Sequence, residues 1–207
     1  MDAATTTLVH SLAGRAESRS LARAISFASV LFVAALTAAA AQVSVPLPFT
    51  AVPFTFQPMI VLLGGLALGS RLGCASQVLY LAAGVAGLPV FAASVTLPPG
   101  PLRLLGPTGG YLMAYPLAAF VVGYLAERGY SRRYATAVLA MLAGLGIVYA
   151  CGVAWLGMFA NVGNVTAAVG LQSAIAAGVA PFILADIVKV FAAAAILPAL
   201  WKVVGRA

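Results

Sequence analysis

The 207 residues are 63% hydrophobic and only 7% charged, where a soluble domain carries about a quarter of charged residues, and the mean hydropathy is +1.09. Such a chain belongs in a membrane, so its formal net charge of +7 reflects where cations sit about a bilayer and is not the footprint of a nucleic-acid binder. Cys74 and Cys151 lie in apolar stretches and His10 in a polar one, which offers neither a disulfide framework nor a metal site.

Residues 1 to 20 carry Asp2, Arg15, Glu17 and Arg19 without a sustained apolar run. They read as a cytoplasmic tail with room for a short surface helix. No charge appears from Ala24 to Ala41, close to the roughly 20 residues needed to cross about 30 Å of hydrocarbon, and this predicts a first span over about 21–42. Its alanine-rich end imitates a secretory cleavage site, but the run exceeds the usual 7 to 15 residue apolar core of a signal peptide, roughly counted. Pro46, Pro48 and Pro53 then break the chain into an ordered loop lying over the membrane. Two further spans are expected over about 54–69 and 72–88, with Arg71 at the turn between them. Residues 89–105, with Pro98-Pro99-Gly100-Pro101 and Arg103, are too broken for a helix and too apolar for an ordinary loop, as if they dip back toward the bilayer.

A fourth span over about 106–126 opens with Gly106-Pro107-Thr108-Gly109-Gly110-Tyr111, and Glu127, Arg128, Arg132 and Arg133 make the next polar turn. The 52 residues from Tyr134 to Ala185 are uncharged, too many for one crossing. Asn161-Val162-Gly163-Asn164 supplies the break, giving a fifth span over about 134–159 and a short interfacial helix from Gln172 to Ala180. The sixth span, about 181–201, ends at an interfacial anchor of Trp201, Lys202 and Arg206. The fold class is therefore an all-α integral membrane protein of one domain, 1–207, with six transmembrane helices and outer loops over a ligand pocket. Placing both termini in the cytoplasm puts Arg15, Arg19, Arg23, Arg71, Arg128, Arg132, Arg133, Lys202 and Arg206 inside and only Arg103 outside, as the positive-inside rule requires.

Asp186 and Lys189 are the one acid and the one lysine within hydrophobic sequence. Each costs about 2.5 to 3.5 kcal/mol near the centre of a spanning helix, and charges kept there usually face the bundle interior and serve function. Three residues apart, they share a helix face and can offset one another or grip one polar ligand; a purely structural pair is the alternative. On the six-span topology Asp186 lies about five residues, roughly 8 Å, below the outer start of its helix. The Gly106–Tyr111 turn lies on the same side and either walls a pocket or simply starts a helix. Arg103 can meet a ligand carboxylate or a lipid headgroup. Asn161, Asn164 and Gln172 read as turn formers. Ala34, Ala35, Ala38 and Ala39 make a small-residue strip that lets another helix come close, fitting either a partner helix or internal packing.

The only lysines are Lys189 and Lys202, and no Gly-x-x-x-x-Gly-Lys-Ser/Thr loop occurs, so the chain should not hydrolyse ATP itself. Paired carboxylates, Cys-x-x-Cys and histidine clusters are also missing, which favours binding or transport over catalysis. No cofactor is expected. A proton or ion pathway through Asp186 would want polar residues across the whole membrane, and the inner halves of the spans supply almost none.

The order Ala-Ala-Leu-Thr-Ala-Ala-Ala, Gln42 to Pro48, Val52 to Thr55, Gly69 to Gly73, Gly87 to Phe91, Gly106 to Tyr111, and Pro181-Phe182 leading to Asp186-x-x-Lys189 resembles the BioY family, the biotin-specific substrate-binding (S) components of energy-coupling factor (ECF) transporters. The similarity runs from about Ala34 to Lys189. It implies that Asp186 and Lys189 contact the ureido end of biotin and that the Thr108, Gly109, Gly110 and Tyr111 turn shapes the pocket. It implies too that the strip at Ala34 and Ala38 meets a transmembrane coupling protein driven by two cytoplasmic ABC-type ATPases, in a bacterial cytoplasmic membrane. Biotin suits the residues: an acid for ureido N–H groups, a lysine for the ureido oxygen, apolar walls for the rings and chain, and Arg103 for the carboxylate. A solitary transporter, or one for another small vitamin, is the alternative.

Overall fold

A computed structural model describes residues 7–48, 50–93, 98, 100–158 and 170–204. The segment expected as a tail contains α1 (Leu8–Gly14), begun by Thr7, whose side chain accepts from the His10 N–H. Thr7 is buried and bonds to the Leu68 carbonyl, and Val9 is buried with it, so this helix docks on the bundle instead of trailing from it. Ser18 caps α2 (Arg19–Gln42), whose 24 residues make a helix about 36 Å long at 1.5 Å per residue.

The loop that follows departs from the all-α expectation. Ser44–Val45 (β1) and Phe54–Thr55 (β2) pair antiparallel, Ser44 with Thr55 and Val45 with Phe54. Val, Phe and Thr favour strands. The prolines at 46, 48 and 53 lack the N–H a longer ladder would need, so pairing stops after two residues.

Helices α3 (Gln57–Leu68) and α4 (Ser70–Val85) are separated by Gly69 alone, at φ +87°. That left-handed backbone suits glycine and reverses the chain within one residue. Gly65 and Gly73, four residues to either side, then face each other: a Cβ on Gly73 would sit 3.1 Å from the Gly65 Cα. Glu127 caps the start of α4, its Oε1 accepting from both the Ser70 N–H and hydroxyl at 2.8 Å.

A single turn, α5 (Leu102–Leu105), interrupts the stretch expected to hold no helix and leads into α6 (Gly109–Ala126). α7 (Tyr134–Met158) and α8 (Leu171–Gly178) follow; the break proposed at Asn161 and Asn164 lies outside the described residues, and Gln172 sits exposed in α8. The chain closes with α9 (Ile183–Ala194) and α10 (Ile196–Val204). Pro198 divides these two, since it cannot donate to the Ala194 carbonyl four residues back.

Helix α6 is the centre, packed against α3, α4 and α7. Its Ala118, Ala119 and Val122 are fully buried among Val61, Leu62, Leu66 and Met141. Small residues allow the close approach: a Cβ on Gly65 would lie 2.7 Å from the Ala119 carbonyl oxygen. Among the described residues four helical stretches are long and apolar enough to cross a membrane, Arg19–Gln42, Gly109–Ala126, Tyr134–Met158 and Ile183–Lys202, while Gln57–Leu68 is apolar but shorter. The protein is a mostly helical membrane protein.

Candidate ligand-binding site

Asp186 and Lys189 lie on the inward face of α9, 7% and 8% exposed. The Lys189 ammonium donates to Asp186 Oδ1 at 2.7 Å and, with equal length, to the carbonyl of Thr55 on β2. It also stands 3.5 Å from the centre of the Phe54 ring and 5.1 Å from that of Phe56. An ammonium has three donors, and a carboxylate, a carbonyl and a ring face take them. The other carboxylate oxygen, Oδ2, accepts from the Tyr149 hydroxyl of α7 at 2.6 Å. Tyr149 is set by an edge-on contact with Tyr111 of α6, ring centres 6.5 Å apart, and Tyr111 donates to the Gly178 carbonyl at the end of α8.

These groups border a cavity of about 1110 Å³, just above the usual range of roughly 300 to 1,000 Å³ for small-molecule sites. Asp186, Tyr149, Tyr111, Thr108, Gln57 and Arg103 line it together with Phe54, Phe91, Leu112, Tyr115, Val148 and Phe182. The proline-rich loop between β1 and β2 forms one wall through Pro46, Leu47 and Pro48, and Thr50 ties that wall to α8 by a 2.8 Å bond to the Ala177 carbonyl. The site is a largely apolar chamber with an acid at one place on its wall and a guanidinium at another.

The residues expected to form the site therefore separate. Asp186 faces the cavity, whereas Lys189 stands behind it with its donors turned to Thr55 and Phe54, so the pair does not present itself jointly. Thr108, which makes no capping bond, and Tyr111 reach the cavity. Gly109 and Gly110 do not: a Cβ on the first would run into the Leu104 carbonyl and on the second into the Trp155 Cβ. Gly109 lets α5 pack against the start of α6 and Gly110 lets α6 and α7 approach, a contact that Trp155 locks by donating to the Gly106 carbonyl at 2.9 Å. Arg103 lines the cavity but also clamps its own loop, donating to the carbonyls of Pro98 and Ala92. Partial burial lowers its pKa from the usual guanidinium value, and a partly desolvated cation bonded to neutral carbonyls favours an anion beside it.

Tyr149, Gln57 and the Thr55 carbonyl were not legible beforehand as parts of this site. Tyr149 sits in a long uncharged run with no local signature, and a backbone carbonyl carries none. Gln57 did leave a trace, as a lone amide at the start of an apolar helix.

The strip on α2 divides as well. Ala34 is buried in the core and Ala38 half-buried against it, whereas Ala35 and Ala39 are exposed.

The sequence model of the BioY family matches residues 12–206, nearly the whole chain. The chain belongs to the BioY family. Among BioY proteins, the "Probable biotin transporter BioY" of Pyrococcus horikoshii is 42% identical over 159 residues, 77% of this chain and 85% of that protein. The "Biotin transporter BioY" of Thermotoga maritima is 39% identical over 162 residues, 78% of this chain and 87% of its own. The BioY fold is also that of a solved S-component for biotin from an ECF-type ABC transporter, with a TM-score of 0.76, 23% identity, and 90% of this chain and 95% of that one covered.

Proposed function

We propose that this chain is the biotin-binding S component of an ECF-type vitamin uptake transporter. The observation that carries this reading is the chamber itself: an apolar space of small-molecule size with the Asp186 carboxylate and the Arg103 guanidinium both on its wall. Biotin is polar at two ends and apolar between. Asp186, oriented by Lys189 and Tyr149, accepts ureido N–H bonds; Phe54, Phe91 and Tyr115 enclose the ring and chain; Arg103 meets the carboxylate. Family membership and the names of the relatives support the ligand. Thr108 and Tyr111 shape the wall, Gly109 acts by letting α5 close on α6, and Gly110 by letting α6 and α7 come together.

In this reading the chain is one membrane domain in a bacterial cytoplasmic membrane, with six crossings and both termini inside, α3 and α4 crossing as a tilted hairpin. Biotin enters from outside. A transmembrane coupling protein docks on α2 over Ala35 and Ala39, and two cytoplasmic ABC-type ATPases supply the energy.

The test is a titration of purified protein with biotin, thiamine and riboflavin. Biotin alone should bind, and Asp186→Asn should weaken it at least about tenfold, or 1.4 kcal/mol. Equal binding of all three vitamins, or of none by folded protein, would reject the reading.

A further inference from the structure

Gln57, at the first turn of α3, is 3% exposed and lines the cavity. Its amide is held by a chain of bonds. The Tyr80 hydroxyl accepts from Gln57 Nε2 at 2.6 Å, and its own proton goes to the Val90 carbonyl at 3.3 Å. Because that proton is committed, the group facing Tyr80 must be the amide nitrogen. Tyr80 itself cannot move: it is 1% exposed and packs edge-on against Phe91, ring centres 5.5 Å apart. One Gln57 N–H is thus spent on Tyr80, and the other N–H and the amide oxygen remain for the cavity.

The Lys189 ammonium, the donor expected for a ligand carbonyl, is taken up by Asp186, Thr55 and the Phe54 face. A cyclic urea in this chamber needs an acceptor for its N–H groups and a donor for its oxygen. Asp186 can only accept. Building on the biotin reading above, we propose that Gln57 is a specificity-determining residue that pairs with the ureido group: its remaining N–H donates to the ureido oxygen and its oxygen accepts a ureido N–H, a two-bond amide–urea pair. Tyr80 is a positioning residue that presents the amide in that orientation. A buried amide left without its partner penalises any ligand unable to return both bonds, which is how such a site selects among vitamins.

The experiment titrates wild type, Gln57→Leu, Gln57→Glu and Tyr80→Phe with biotin and with its 2-thio analogue, whose C=S accepts hydrogen bonds poorly. Gln57→Glu keeps the shape and one acceptor but has no N–H, so it reports on the donor even where the leucine variant folds badly. Both Gln57 variants should bind biotin at least about tenfold more weakly, and wild type's preference for biotin over the thio analogue should shrink to within about threefold in both. Tyr80→Phe should lose a smaller factor, about threefold, with the preference narrowed in the same direction. Gln57 variants that bind biotin like wild type, or bind it weakly with the preference intact, would overturn the assignment while leaving the biotin reading standing. Wild type that binds no biotin would reject that reading, and the urea pairing with it.

Discussion

At the scale of single residues, the governing fact is that a buried charge has to be matched atom by atom. Lys189 meets this through Asp186, the Thr55 carbonyl and the Phe54 ring. Removing one partner of such a pair strands the other, at a cost of about 3 to 5 kcal/mol. Lys189→Met should therefore lower the thermal midpoint more than the double variant Lys189→Met with Asp186→Leu, in which no charge is stranded; differential scanning fluorimetry would show it, and a double variant less stable than the single would contradict this account. Tyr149→Phe leaves fold and cavity shape in place but removes a donor from Asp186, and should weaken biotin several-fold with little change in stability. The pair's position on one helix face was evident from the three-residue spacing. That one member faces the ligand chamber and the other faces a strand was not, because Thr55 lies 134 residues away in the chain.

At the scale of elements, glycine and alanine decide which helices touch. Gly110→Ala would drive a methyl group into Trp155 and part α6 from α7, destabilising by about 1 to 3 kcal/mol. Glu127→Ala leaves the first turn of α4 without its cap and should cost about 1 kcal/mol. The strip on α2 gives a sharper contrast. Ala34→Leu overfills the core and should lower stability, whereas Ala39→Leu, on the exposed face, should leave stability and biotin binding unchanged and abolish capture of the coupling protein in a pull-down. Loss of biotin binding in Ala39→Leu would argue against a partner surface there. Periodicity alone showed four small residues on two adjoining faces; which face turned inward depended on where α3 and α4 packed.

At the scale of the molecule, polar contacts gather at two opposite ends. One end joins Thr7 to Leu68, Ser70 to Glu127, Arg128 to the Tyr124 ring and Arg132 to the Trp201 ring. The other holds the β1–β2 loop, Asp186, Thr108 and Arg103 about the cavity. The cations counted toward the inside are largely at the first end, as an inward orientation of that end requires. Cysteines introduced at position 12, in α1, and at position 48, in the loop, should be labelled by a membrane-impermeant reagent only at 48 in intact cells. The opposite result would invert the topology.

The sequence by itself determined the membrane environment, the family, the main apolar helices and the inward-facing position of Asp186, because each rests on composition, local period or a charge too costly to turn toward lipid. Tertiary structure alone decided the rest. The docking of α1, the two-residue ladder that carries Thr55 to Lys189, the withdrawal of Gly109 and Gly110 from the cavity and the arrival of Gln57 and Tyr149 at its wall all depend on contacts between residues distant in sequence. Such contacts are set by which helix faces fit together, and a local pattern records a face without naming its partner.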